Sequence, residues 1–171
     1  AAGGVGSLTV QLAKRWGAGR IIAVASTEAK REAALALGAD AIWVGTRFIA
    51  TPEARAVNGY KEALVTSRED DTVISRSYTG KPCRVVRNEW TNHYEQNPQD
   101  IKTFPQQAIA SSQANVNHLG YPSGTQVDTS REFYPAGQGA GAVNSLIPAG
   151  DLVHDIVTQA EKILSQLGKT K

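Results

Sequence analysis

Blocks of apolar and polar residues in the first fifty positions follow an order that predicts a parallel sheet. A glycine-rich start at residues 1–6 leads into helical spacing. Large apolar residues lie four apart on one face of that helix, at Leu8, Leu12 and Trp16. Short apolar runs at 21–25 and 41–44 suit strands buried on both faces, and a helical stretch ending at Gly38 separates them. Loop, helix, strand, helix and strand in this order indicate right-handed βα units.

The pattern is less regular in the middle of the chain. We predict short helices at 52–56 and 59–67, a strand at 72–75 and a turn at 79–82. Residues 88–126 are rich in Asn and Gln and are interrupted by three prolines, so short helices joined by long ordered loops are expected there.

The C-terminus carries the clearest amphipathic helix. Apolar residues recur at helical spacing behind Asp151 as far as Leu167. Such a helix ordinarily covers a hydrophobic core.

Composition fits one soluble globular domain, since the chain has 171 residues of which 41% are hydrophobic and 20% charged. A complete (β/α)₈ barrel needs roughly 250 residues, so a full barrel does not fit. The sequence contains no Met and opens on Ala1. We therefore expect a piece of a longer protein.

Charge and cysteine content limit the classes of binding partner that the chain is expected to have. The net charge is +2 and the basic residues are scattered, whereas nucleic-acid binding calls for clustered cations. Cys83 is the single cysteine, so it has no partner for an intrachain disulfide or a zinc site. No apolar run reaches the ~18 residues that span a bilayer, and no signal peptide is evident. We expect a cytoplasmic protein acting on a small molecule, without metal, nucleic acid or membrane; the oligomeric state stays open.

The glycine-rich start is a candidate nucleotide site. Ala1, Gly3 and Gly6 have the spacing A-x-G-x-x-G, a relaxed dinucleotide fingerprint. After the following strand, Ser26 and Lys30 stand where a hydroxyl and a cation would suit a 2′-phosphate, hence NADP. The alternative is a glycine turn and a solvated lysine without a ligand.

Residues 1–40 resemble the nucleotide-binding core of zinc-independent medium-chain dehydrogenases of the quinone oxidoreductase type. The resemblance implies two contacts to NADPH, to the pyrophosphate by Gly3, Gly4 and Val5 and to the 2′-phosphate by Ser26 and Lys30. The strand that precedes the loop in that family is absent here, as are its remaining strands and its catalytic domain.

From residue 33 to about 165 the chain resembles a different family, the C-terminal part of nitronate monooxygenases. Six ordered motifs carry this resemblance: 34–40 (ALALGAD), 43–48 (WVGTRF), 60–64 (YKEAL), 78–82 (YTGKP), 86–88 (VRN) and 136–141 (AGQGAG). Their order along the chain is far more specific than any one of them.

The second resemblance implies a TIM barrel that holds FMN. Gly45 and Thr46 would close the phosphate site after the last barrel strand, in keeping with the usual phosphate site of such barrels. Gln138 and Gly139 would lie near the flavin. The family's catalytic histidine lies upstream, so no catalytic residue is assigned. The histidines present are His93, His118 and His154.

Together these features predict a composite α/β chain. Residues 1–40 would form an incomplete Rossmann-like segment of parallel βα units. Residues 41–171 would form the last strand and C-terminal helical region of a TIM-barrel-type flavoprotein. Ala1 to Gly4 also match a barrel phosphate loop, but a barrel places one helix between that loop and the last strand, whereas helix, strand and helix intervene here.

The predicted function is FMN-dependent oxidation of alkyl nitronates by oxygen. NADPH-dependent quinone reduction and a non-catalytic remnant or interaction domain are the alternatives. Each resemblance lacks the part of its family's fold that completes the site, so little activity is expected from the isolated chain. A basic group could meet an anionic substrate or a cofactor phosphate, or could be a solvated loop; its members are Arg76, Lys81, Arg84 and Arg87.

Overall fold

The computed structural model describes residues 4–24 and 41–167. The N-terminal part contains helix α1 (Gly4–Arg15), strand β1 (Ile22–Val24) and strand β2 (Ala41–Trp43). The two strands pair in parallel. The predicted strands and their parallel pairing are therefore confirmed, while the helix predicted between them falls outside the described residues.

Two helices follow β2, namely α2 (Thr46–Ile49) and α3 (Asn58–Thr66). The prediction of a helix at 52–56 is wrong, because this segment is a series of turns. The hydroxyl of Thr51 donates to the carbonyl of Phe48 at 2.9 Å and accepts from the N–H of Ala54 at 3.2 Å. The backbone bonds that follow are of short range, from the N–H of Ala54 to the carbonyl of Thr51 and from the N–H of Ala56 to the carbonyl of Ala54, so the chain closes turns and an α-helix does not continue.

Strands β3 (Thr72–Ser75) and β4 (Cys83–Val86) form an antiparallel hairpin. The strand at 72–75 and the turn after it were predicted from the sequence, and β4 was not. The backbone of residues 134–136 runs along the other edge of β4, where Val85 forms an isolated antiparallel bridge with Pro135. Within the described residues, the parallel arrangement is thus limited to β1 and β2.

The rest of the chain is helical with long connections, as predicted. Helices α4 (Glu89–Gln96) and α5 (Gln106–Gln113) are followed by a 3₁₀ helix (Gln138–Ala142) and by α6 (Ala149–Leu167). The terminal helix confirms the amphipathic pattern and begins just ahead of the predicted start. Another 3₁₀ turn, Pro98–Asp100, lies after α4. No helix in the described ranges is both long and apolar enough to cross a bilayer.

Among the described residues, two apolar clusters lie on either side of β4. The first joins α3 to the segment around residues 134–143, and there the rings of Tyr60 and Tyr134 stack with centroids 5.0 Å apart. The second contains Val85 and the ring of Phe133, which stacks on Tyr78 at 4.4 Å. Because Val85 belongs to one cluster and its neighbour Val86 packs against the other, β4 ties the two together.

Candidate functional site

Gly45 and Thr46 lie at the end of β2, where the chain enters α2. The hydroxyl of Thr46 accepts a hydrogen bond from the N–H of Gly137 at 3.0 Å, across 91 residues of sequence. This contact brings together the two motifs that the sequence assigned to a flavin site, residues 43–48 and residues 136–141.

An open cavity of about 360 Å³ forms where these motifs meet. Its wall is formed by Gly45, Thr46, Ile49, Arg84, Pro135, Ala136 and Gly137. Most of this surface is apolar. The lining includes one guanidinium and no carboxylate among the described residues, so the cavity suits an anionic group attached to a less polar body.

Pairing along β4 positions the far wall of the cavity. The N–H of Val86 donates to the carbonyl of Tyr134 at 2.9 Å, and the N–H of Ala136 donates to the carbonyl of Arg84 at 3.0 Å. These bonds fix the 134–136 segment beside Arg84 and leave Gly137 against Thr46. A tertiary strand pairing therefore builds the site, and nothing in local sequence propensity indicates it.

The backbone is accessible at the glycine after β2. A Cβ added to Gly45 would meet no heavy atom within 4 Å, and the residue is exposed. At Gly137 an added Cβ would be 3.6 Å from the hydroxyl of Thr46, an ordinary contact. A ligand can thus approach the main chain closely on this side.

The predicted flavin residues divide into two groups. Gly45 and Thr46 line the cavity, whereas Gln138 and Gly139 lie on the adjoining 3₁₀ helix and are absent from its wall. Gln138 is exposed and Gly139 is buried. Gly137, which the sequence prediction passed over, is the member of this motif that contacts Thr46.

Gly141, at the end of the same motif, has a packing role. A Cβ at this position would lie 2.5 Å from the backbone nitrogen of Glu69. Such a distance excludes any side chain unless the backbone moves. The glycine content of the motif therefore reflects close packing as well as the cavity.

The proposed nucleotide loop is only partly described. Gly4 and Val5 form the start of α1. The other residues of that prediction, Gly3, Ser26 and Lys30, lie outside the described residues.

The four basic residues of the middle segment have different surroundings. Arg87 pairs with Glu95. The ammonium of Lys81 lies 4.0 Å from the ring centroid of Phe104, and Arg76 donates to the carbonyl of Gly80 at 3.1 Å. Only Arg84 of this group lines the cavity.

A buried acid that the sequence did not reveal lies elsewhere. Glu132 is 1% exposed, and its carboxylate accepts from the backbone N–H of His118 at 2.8 Å and from its own neighbour, the N–H of Phe133, at 3.0 Å. The second oxygen lies 2.6 Å from Nδ1 of His118, whose Nε2 is 3.1 Å from the side-chain oxygen of Asn115. Every polar atom of the Glu132 and His118 side chains thus has a hydrogen-bonding partner, so this pair is used in holding residues 115–118 against residues 132–133.

Burial raises the pKa of several groups near the two cores. Desolvation raises the pKa of the phenols of Tyr60, Tyr78 and Tyr134, and it also raises the pKa of the Cys83 thiol. In the part of the chain that the structure describes, no histidine lines the cavity and no cluster of three His, Cys, Asp or Glu side chains could hold a metal ion. The cavity is therefore a binding feature without an evident proton-transfer group.

Solved structures define the class of fold. The chain superposes on FabK from Thermotoga maritima with a TM-score of 0.73 and 26% identity, covering 95% of this chain and 50% of that one. It superposes on nitroalkane oxidase from Streptomyces ansochromogenes with a TM-score of 0.72 and 24% identity, covering 95% of this chain and 45% of that one. The second likeness bears on the fold alone. The chain is accordingly a partial α/β unit of the fold that these proteins share.

The family follows from sequence comparison. The nitronate monooxygenase family model matches residues 25–159, and the chain belongs to that family. A Mycobacterium tuberculosis protein named as a monooxygenase, Rv1533, is 31% identical over 79% of this chain and 36% of its own length. A Staphylococcus saprophyticus protein named as a nitronate monooxygenase is 28% identical over 78% of this chain and 36% of its own length. The chain thus spans about a third of these relatives.

The medium-chain dehydrogenase resemblance of residues 1–40 receives no support from these comparisons. The family model begins at residue 25, inside that segment, and the FabK superposition covers 95% of the chain. Neither NADP nor a Rossmann-like segment is supported.

Proposed function

We propose that the chain forms the FMN-phosphate part of a flavin-dependent oxidoreductase that oxidises alkyl nitronates with oxygen. The observation that carries the proposal is the contact between Thr46 and Gly137, which joins two distant motifs at one cavity. The parallel pair of β1 and β2, with Gly45 just beyond β2, also agrees with a phosphate loop at the end of a TIM-barrel strand.

The donor set of the cavity fits a phosphate group. Gly45 and Gly137 allow close approach of a ligand to the main chain, and Arg84 supplies a positive charge. The hydroxyl of Thr46, held by Gly137, can donate its proton to a phosphate oxygen. Gln138 and Gly139 are proposed to lie beside the flavin body because they continue directly from Gly137.

Bound FMN would supply the redox chemistry, and the protein's part is to anchor and orient the cofactor. None of the residues around the cavity is proposed as the catalytic base. We therefore expect the chain to bind the cofactor and to show little turnover alone. The predicted division of the chain into segments 1–40 and 41–171 remains a prediction. No observation on the described residues favours NADPH-dependent quinone reduction.

An absorbance spectrum tests the proposal. After incubation with FMN and desalting, the purified chain should keep the visible flavin absorption. Thr46→Val retains the shape of the side chain and removes the hydroxyl, so it should weaken the affinity for FMN by about tenfold, the effect of losing one hydrogen bond to a charged group, and thereby lower the flavin that is retained.

A matched control is Thr66→Val, because Thr66 is an exposed threonine of α3 whose hydroxyl donates to the carbonyl of Glu62 at 2.9 Å. This variant should retain flavin as the parent does. Equal flavin content in the parent, Thr46→Val and Thr66→Val would overturn the assignment of the phosphate site.

A further inference from the structure

We infer that Arg84 makes this cavity selective for a phosphorylated flavin over the unphosphorylated one. The inference rests on the function proposed above and concerns a residue that the family motifs did not assign to the cofactor. Arg84 lines the cavity together with Gly45, Thr46 and Gly137.

The guanidinium is held in place from one side. Its Nη1 donates to the carbonyl of Thr72 at 3.3 Å and to the hydroxyl of Thr72 at 3.2 Å. Thr72 is buried on β3, the strand paired with the strand that carries Arg84. An arginine fixed in this way loses less side-chain freedom when it meets a ligand.

The remaining donors of the guanidinium are available. A guanidinium has five N–H groups, and in the described part of the chain the bonds to Thr72 engage Nη1 alone. No carboxylate of the described residues pairs with Arg84, in contrast to Arg87 with Glu95 and Arg131 with Asp128. Its charge is therefore not neutralised by a neighbouring acid.

These features have a specific chemical consequence. A planar guanidinium with free N–H groups binds phosphate oxygens in a bidentate manner, and mainly apolar walls strengthen the attraction. The ribityl chain of riboflavin ends in a neutral hydroxyl and gains little from the same group. Arg84 should thus contribute to the affinity for FMN and hardly at all to the affinity for riboflavin.

Fluorescence titration of the full 171-residue chain with FMN and with riboflavin tests this. Arg84→Gln removes the charge and retains a polar amide at this position. It should weaken FMN binding by about 10- to 100-fold, the effect of a charge-assisted hydrogen bond, and change riboflavin binding by less than about twofold. Arg84→Lys should lie between the parent and Arg84→Gln, because it restores the charge without the planar fork.

Arg76→Ala is the matched control. Arg76 belongs to the same basic segment, is exposed, and donates to the carbonyl of Gly80 in its own turn; it does not line the cavity. It should leave both flavin affinities unchanged.

The outcomes separate this inference from the proposed function. Equal losses for both flavins in Arg84→Gln, or no loss for either, would overturn the selectivity assigned to Arg84. If Thr46→Val still weakens FMN binding in that case, the proposed site stands without Arg84. If the parent chain binds neither flavin, the proposed function and the inference both fail.

Discussion

Gly80 shows at the scale of one residue how tightly the hairpin turn is packed. Its φ is +80°, and an added Cβ would lie 2.6 Å from the backbone nitrogen of Phe104 and 2.7 Å from the carbonyl oxygen of Lys102. Gly80→Ala should therefore cost about 3 kcal/mol of unfolding free energy, from backbone strain together with a clash. Urea denaturation measures this loss.

Gly120 provides the control for Gly80→Ala. It has a similar φ of +77°, but an added Cβ would meet no heavy atom within 4 Å. Gly120→Ala should cost only the strain, about 1 kcal/mol. Equal losses at the two positions would show that packing around Gly80 does not restrict the residue.

The buried carboxylate of Glu132 supports a second residue-scale prediction. Glu132→Leu removes the acceptor for two backbone N–H groups, those of His118 and Phe133, and for the ring of His118. Because these donors would be left buried, the variant should lose about 3–5 kcal/mol of unfolding free energy. Thermal or urea unfolding provides the measurement.

Glu132→Gln separates the hydrogen bonds from the charge. The amide oxygen can still accept from both backbone groups, and the amide N–H can donate to a neutral His118 ring. We expect the unfolding free energy to fall by only about 1 kcal/mol, because the donors around residue 132 keep their hydrogen bonds. A Gln variant as unstable as the Leu variant would mean that the charge, and not the set of acceptors, stabilises the loop.

At the scale of elements, the two core clusters depend on β4. Val85 is fully buried on this strand, whereas Ile74 on the paired strand β3 is 62% exposed. Val85→Ala should lower the unfolding free energy by about 2 kcal/mol, since it empties volume between packed rings. Ile74→Ala should change it by less than about 0.5 kcal/mol. Equal effects in urea denaturation would contradict the central place of β4.

Sequence patterns predicted the elements whose signals are local. The short apolar runs indicated β1 and β2, and helical spacing indicated α6. Strand β4 carries no such signal, because its sequence CRVV is short and its second partner, the 134–136 segment, is about 50 residues away. The predicted helix at 52–56 is wrong because the backbone of 51–56 closes short turns and does not continue into the bonding pattern of an α-helix.

The residues of the candidate site differ in the same way, since local sequence predicts the position of some of them and long-range pairing determines that of the others. Gly45 and Thr46 follow a predicted strand, so their position at a strand end was evident from the sequence. Arg84 and Gly137 reach the cavity only through the pairing of β4 with the 134–136 segment. Long-range contacts of this kind produce no periodic pattern in the amino-acid sequence, so they could not be predicted from it.

For the whole molecule, burial is unevenly distributed between the described ranges. Both core clusters are formed by residues between 49 and 143. In the range 4–24, Val10 and Ile21 are buried, but Trp16 is 77% exposed and Ile22 of β1 is 57% exposed. Parallel strands are ordinarily covered on both faces, and the chain spans only half of the FabK structure that it matches. Ile22, at the start of β1, is therefore largely uncovered in the part of the chain that the structure describes.

Hydrogen exchange should reveal this difference in local stability. Opening free energy follows the apolar contacts and hydrogen bonds that an element must break, and a two-stranded sheet breaks few of them. The amides of Ile22–Val24 should exchange at least about a hundredfold faster than those of Cys83–Val86, which lie between the two cores. Mass spectrometry of peptides that contain each strand gives the comparison within one sample. Equal protection of the two strands would mean that the N-terminal sheet unfolds together with the cores.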